Sequence, residues 1–307
     1  MPDSNNSSAV EQLTHALIHL DGVLAPNTLR AYRADALNFI RWCESHQCTP
    51  FPASVKTLSG FISYRIEHAN IFSLKRQIAG IHSIHQTLGV PSNARNPEVT
   101  LLLKKLSRIQ GEPQQQATGM TEVILHQLIA VTDSTKKGYR DRALLRLAYE
   151  SMRRRDELVK FQVSDLTFRA DGTGILTLQR SKTDQIGTGF LIALSVPCMD
   201  ALLAWFEIAE IQDGPILRSV KKGGKVVRDE GLDSRSIGRI YHWLAEKAGI
   251  TKAERLHLSA HSTRVGPAQE LLRRGETIPQ IMRRGGWKSA RITSRYTRHA
   301  DLEPLPF

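Results

Sequence analysis

The chain has 307 residues, enough for about two domains, and 41% of them are apolar, enough for a sizeable core. Lys and Arg number 42 against 30 Asp and Glu, a formal charge of +12, which suits a polyanionic partner such as nucleic acid. Cys43, Cys48 and Cys198 have neither a disulfide-framework nor a zinc-finger spacing, no apolar run reaches membrane-spanning length, and the N-terminus has no signal-peptide pattern; a cytoplasmic protein is expected.

Residues 1–8 are polar and are expected to be disordered. Pro26-Asn27-Thr28 opens a helix with Leu29, Tyr32, Ala36, Ile40 and Cys43 at helical spacing. Ser73 is the expected cap of a second helix with Ile78, Ile81 and Leu88 inside and Lys75, Arg76 and Gln77 on its polar face. Pro97 opens a third, with Leu101, Leu102, Leu106 and Ile109 as its core stripe. Four or five helices fit here, and no strand. Residues 111–119 carry helix breakers and glutamines without apolar periodicity and are predicted to be a linker.

A second domain then starts near Met120. It opens helically, with a long helix over about 139–149. A turn at 168–172 and two short strands, around 175–177 and 190–194, follow; Lys182 sits on the hairpin tip between the strands. Helices are predicted over 199–211, 234–248, 262–274 and 277–284. No internal repeat is visible. The chain is therefore expected to be mostly α: an N-terminal helical domain over 1–110, the linker, and an α-rich domain over 120–307 with one small antiparallel β-sheet.

Chemistry concentrates in the second domain. His261 and Arg264 are three residues apart, so they share about one face if a helix starts there, and Val265, Gly266, Ala268 and Leu271 make that turn a packed one. A guanidinium forks two hydrogen bonds onto phosphate oxygens at any cellular pH. Arg153-Arg154-Arg155 points in three directions, so at most one or two of these can enter a site; Arg154 stands three residues before Glu157 and is preferred. Trp287 follows two glycines and offers one N–H donor, although a core role is the commoner fate of tryptophan. Tyr296 is flanked by Arg291, Arg295 and Arg298, whose charges favour a phenolate. His15 with His19, and His82 with His85, have no third ligand at a metal-binding spacing, and no cofactor is expected.

The order and spacing of Arg154, Glu157, Lys182, His261-x-x-Arg264, Trp287 and Tyr296 resemble the tyrosine recombinase (phage-type integrase) family, in its Cre and Xer branch. The strong match covers about 150–300; the N-terminal helices are similar to the family's core-binding domain. The resemblance implies a site-specific recombinase without metal or ATP. Tyr296 would form a 3′-phosphotyrosine, with Arg154, Arg264 and Trp287 on the non-bridging oxygens and Lys182 protonating the leaving oxygen. His261 would handle the tyrosine proton or support the phosphate, and Glu157 would hold the constellation. The implied partner is double-stranded DNA with inverted-repeat sites, clamped between the two domains; four copies would exchange strands through a Holliday junction. Such a protein is encoded by a bacterium, phage or plasmid and works at the nucleoid. Two prolines after Tyr296 disfavour a long C-terminal helix, so the tetramer would use a shorter tail or another contact. Arg235 is the first candidate for base reading, with Arg239, Lys75, Arg76 and Gln77 behind it; phosphate contact is the other reading of these residues. Type IB topoisomerase chemistry and a DNA-binding protein without catalysis are the alternatives.

Overall fold

In the computed structural model, the described residues are 4–110, 116–179, 189–298 and 300. The chain divides into two compact units, Met1–Gln114 and Gln115–Phe307.

The first unit is built from α1 (Ser4–Leu20), α2 (Pro26–Ser45), α3 (Val55–Arg65), α4 (Ile71–Thr87) and α5 (Pro97–Ile109). The helix over Ser4–Leu20 replaces the disorder expected up to residue 8; it is held by Ala9, Leu13, Ala16 and Leu20, buried at helical spacing. The cap of α4 is Asn70, whose side chain accepts from Ser73 N at 2.8 Å, so Ser73 lies inside the helix it was expected to open. On α5 the inner face is Val99, Leu102, Leu103 and Leu106. Leu101 and Ile109 are instead 62% and 69% exposed, because the stripe is anchored one turn earlier, at Val99. Gln77 also departs from expectation: it lies on the buried face of α4 beside Leu74 and Ile78. The core of this unit is Phe39, Ile40, Cys43, Leu58, Phe61, Ile62 and Ile81 with their neighbours.

The second unit opens with α6 (Glu122–Ala130) and α7 (Lys136–Ser151), capped by Thr121 and Thr135, and a short α8 (Arg155–Leu158). Strands β1 (Leu166–Phe168), β2 (Gly174–Leu178) and β3 (Phe190–Leu194) form an antiparallel meander in which Leu176 pairs with Leu166 on one side and Ile192 on the other. These three leucine and isoleucine side chains point into the core. Helix α9 (Val196–Ala209) packs along α7. A second antiparallel pair, β4 (Arg218–Val220) and β5 (Val226–Gly231), was not expected as a sheet, although the basic turn 221–225 at its tip reads as a hairpin in the sequence. Then come α10 (Ser234–Lys247), α11 (Lys252–Arg255), α12 (Ser262–Arg273), α13 (Ile278–Gly285) and α14 (Ala290–Thr297). Residues 116–119 belong to this unit: Thr118 N donates to His257 O at 3.1 Å, and Met120 N to Ser262 O at 2.9 Å. Among the described residues no helix is long and apolar enough to cross a membrane.

Candidate active site

The site begins where α7 stops. Met152 adopts a left-handed conformation (φ 52°), which ends the helix and turns the chain sharply. The three arginines that follow therefore meet three different environments. Arg153 is 3% exposed: its Nε donates to Ser151 O at 2.7 Å, its Nη2 to Arg284 O at 3.1 Å, and its guanidinium lies 4.7 Å from the Phe190 ring centroid. Arg155 is at the surface, 4.0 Å from Asp156. Arg154 caps α8 from the rim, with its side chain 36% exposed. Glu157 grips it twice, accepting from Arg154 N at 2.9 Å and from Nη1 at 3.0 Å. The carboxylate thus fixes both the backbone and the fork of the arginine that the sequence spacing selects.

Helix α12 supplies Arg264, which is 1% exposed. Its Nη1 donates to Met152 O at 2.5 Å, and its guanidinium carbon is 5.3 Å from the Trp287 ring and 5.7 Å from the Tyr296 ring. Burial lowers the affinity of Arg264 for its proton; attraction to the Tyr296 phenol works the other way. Burial, with the Arg264 charge nearby, likewise brings Arg153 down to about 10, still charged at neutral pH. His261 caps α12 at the surface while Arg264 is interior, so the two diverge despite their shared turn. Partial desolvation of the His261 ring and then the charges of Arg264, Arg154, Arg155 and Arg295 push its pKa down. The ring is therefore neutral at physiological pH and able to accept a proton.

The glycines of this region have steric causes. A Cβ on Gly266 would stand 1.9 Å from Met120 O, because the 116–120 segment lies against α12. Gly286 ends α13 in a left-handed turn (φ 59°), and a Cβ there would be 2.5 Å from Arg153 Nη1. Beyond it Trp287 folds back onto Met152, Ala268 and Ile281 as a core residue. Among the described residues its indole Nε1 nevertheless has no hydrogen-bond partner, and neither does Arg264 Nε. Two open donors beside a phenol can bind an anionic oxygen.

Tyr296 lies on α14, edge-on to Trp287 with centroids 4.7 Å apart. Its backbone carbonyl accepts from Gln116 Nε2 at 3.0 Å and from Gln269 Nε2 at 3.3 Å. The structure thus brings Arg154, Glu157, Arg264, Trp287 and Tyr296 together, with His261 at the rim. Lys182 lies outside the described residues; the strands flanking it pair through Leu178 and Phe190. Arg153, Gln116 and Gln269 escaped the sequence reading: nothing in a lone glutamine or in the first residue of an arginine run marks its partner.

The residues proposed to read DNA fare unequally. Lys75 is exposed. Arg76 pairs with the buried Asp35, and Gln77 accepts from Arg65 Nε at 3.3 Å. On α10, Arg235 is exposed and pairs with its own cap, Asp233, at 3.1 Å, while Arg239 reaches Ser236 Oγ at 2.9 Å. Ile237, Ile240, Tyr241 and Leu244 hold the other side of α10 in the core, as their spacing predicts.

Two guanidiniums, an indole donor, a neutral imidazole and a phenol are gathered on an α-rich scaffold, a set of groups able to bind a phosphate. Residues 119–303 match the phage integrase family, and the chain belongs to that family: it is a tyrosine recombinase of the Cre and Xer branch. It is 29% identical over 289 residues to an integrase/recombinase xerD homolog of Selenomonas ruminantium, covering 91% of this chain and 83% of that protein. To the recombinase cre of Escherichia phage P1 it is 24% identical over 277 residues, covering 85% and 81%. The crystal structure of a lambda integrase tetramer bound to a Holliday junction has the same fold, with a TM-score of 0.63 at 16% identity over 98% of this chain and 79% of that one.

Proposed function

We propose that the protein cuts and rejoins DNA at specific sites through a 3′-phosphotyrosine on Tyr296, in a tetramer that pairs two inverted-repeat sites and passes through a Holliday junction. The observation that carries this reading is the Tyr296 phenol held against a buried Arg264, which forms no salt bridge among the described residues, and an indole N–H open among them. The phenol oxygen attacks the scissile phosphorus as its proton passes to the neutral His261. Arg154 and Arg264 fork onto the non-bridging oxygens, Trp287 Nε1 adds a third donor, and these fixed charges are worth most where negative charge builds up. The bond to the 5′ oxygen breaks, and Lys182 donates the proton that makes it a hydroxyl. A 5′-hydroxyl from the partner strand reverses the step. The phosphotyrosine conserves the bond energy, so no ATP enters, and fixed cations fill the part that divalent ions play elsewhere. Arg235, Arg239, Lys75 and Arg76 meet the duplex. The tetramer and the junction are supported by the fold shared with the lambda integrase assembly.

The test uses duplexes with randomised arms around a nicked core, enriched by binding to the wild-type chain. The wild-type chain is expected to become covalently joined to the selected duplex, and Tyr296→Phe to bind it equally well without joining. Binding without any adduct from the wild type would leave a DNA-binding protein only. Relaxation of plasmids lacking the selected site would point to topoisomerase chemistry.

A further inference from the structure

Arg153 is an uneconomical way to fill an interior position. It is 3% exposed, and among the described residues it forms no salt bridge, although the Glu157 charge is felt nearby. A leucine would occupy much of the same volume without the cost of burying a charge. The partners that Arg153 does have explain what the charge does. Ser151 is the last residue of α7 and Arg284 the next to last of α13, and Arg153 donates to both carbonyls, at 2.7 and 3.1 Å. Both oxygens belong to helix C-termini, where carbonyls lack intrahelical donors and the helix dipole favours a cation. The same guanidinium stacks on Phe190, the first residue of β3, and it lies so close under Gly286 that no Cβ fits there.

Each of the segments tied by this one group carries or supports a reacting part. The end of α7 leads directly into Met152, whose carbonyl holds Arg264, and into Arg154. The end of α13 leads into Trp287, which touches Tyr296 and Arg264. We propose that Arg153 is a positioning residue for strand cleavage: by clamping the C-termini of α7 and α13 together, it fixes the distance between the Arg154–Arg264 fork and the Trp287 indole. It touches no substrate atom and acts through the groups on either side. This deepens the strand-cleavage reading and rests on it.

The experiment measures, on the selected nicked duplex, the rate of adduct formation at saturating protein, the affinity for the duplex, and the thermal midpoint. Arg153→Leu is expected to slow adduct formation by about 10- to 100-fold, the scale of a misplacement near 1 Å, with affinity within about twofold. Arg153→Lys keeps the charge but cannot fork to two carbonyls, and an intermediate rate is expected. Trp287→Phe is expected to cost less in the Arg153→Leu background than in the wild type, because the indole is already displaced there. The proposal is overturned if Arg153→Leu cleaves within twofold of wild type, or if the two losses simply multiply. It is also overturned if rate, affinity and thermal midpoint fall together in both Arg153 variants, the mark of a scaffold residue. No adduct from the wild-type chain overturns the strand-cleavage reading and this inference with it; a normal wild-type adduct beside an unaffected Arg153→Leu overturns this inference alone.

Discussion

His85 and Asp35 in the first unit and Arg264 in the second are buried in opposite ways, although Trp42 Nε1 and His82 Nε2 of the first unit are also open among the described residues. His85, 1% exposed, uses both ring nitrogens: Nδ1 lies 2.8 Å from Ile81 O, which can only accept, and Nε2 takes Ala53 N–H at 3.0 Å. Asp35 is buried against Arg76. Each of these groups is closed by a partner of complementary character. In the cradle, Arg264 and Arg153 are buried among other arginines, and Arg264 Nε and Trp287 Nε1 remain open. Closed pairs describe a scaffold. Open donors beside several guanidiniums and a phenol, unlike the lone Trp42 indole, suit an anion.

The sharpest way to break this contrast is Arg264→Met. If the guanidinium is there for a ligand, its removal is expected to slow adduct formation by at least about 10²–10³-fold, the scale of a lost charge-stabilising donor. The fold should hardly notice. The Met152 carbonyl loses a donor, worth about 1 kcal/mol net, but a buried cation that forms no salt bridge among the described residues disappears as well. The midpoint of thermal unfolding should stay level or rise. A loss near 3–5 kcal/mol, typical of a broken buried pair, would make Arg264 a scaffold group like those of the first unit.

A smaller effect separates the two sets of candidate DNA readers. Arg235 is exposed and paired only with its own helix cap, so Arg235→Ala is expected to weaken binding to the selected duplex by about tenfold at unchanged stability. Gln77 is enclosed and bonded to Arg65, so Gln77→Ala is expected to cost about 1 kcal/mol of stability and leave binding unchanged. Equal binding losses from the two would place α4 and α10 on the same footing and remove the distinction drawn from burial.

Much of the candidate site was legible because chemistry restricts both residue type and spacing. Arg154 stands out through Glu157, and Arg264 through His261 and the packed turn behind it. The helix over Ser4–Leu20 has its stripe in Ala9, Leu13, Ala16 and Leu20, but the polar residues 1–8 ahead of it carry no apolar periodicity. The exposed Leu101 and Ile109 show the weakness of a stripe read without a partner: on a leucine-rich helix several faces are apolar, and packing chooses among them. Gln77 makes the complementary point, since a polar side chain goes inside when a partner such as Arg65 waits there. The anchoring of the Tyr296 carbonyl by Gln116 and Gln269 joins residues far apart in the chain, which no local pattern encodes.

The smallest effect tests the closed half of the contrast through pH. Burial, with the charge of His82 as a further cause, pushes the His85 pKa below its ordinary value, against the donated bond to Ile81. The unfolded chain therefore binds the His85 proton at a pH where the folded chain does not, and stability is expected to fall as pH drops below about 6.5, by at most about 1.4 kcal/mol per unit. His82, desolvated and near Arg95, shifts the same way and adds to the slope. Asp35 works oppositely: burial raises its pKa against the pull of Arg76, so its protonation favours the folded state as pH falls and offsets part of the histidine slope. His261 titrates in the second unit, so the readout must be local. Amide hydrogen exchange of α3 and α4 at pH 7 and 5.5, corrected for the intrinsic rate, is expected to show faster opening at the lower pH. His85→Gln can keep a donor for Ile81 and an acceptor for Ala53 but cannot titrate, so its pH dependence should flatten even though its baseline is lower. A slope as steep in His85→Gln as in the wild type would mean that the neutral ring does not close this interior, and the scaffold half of the contrast would lose its clearest case.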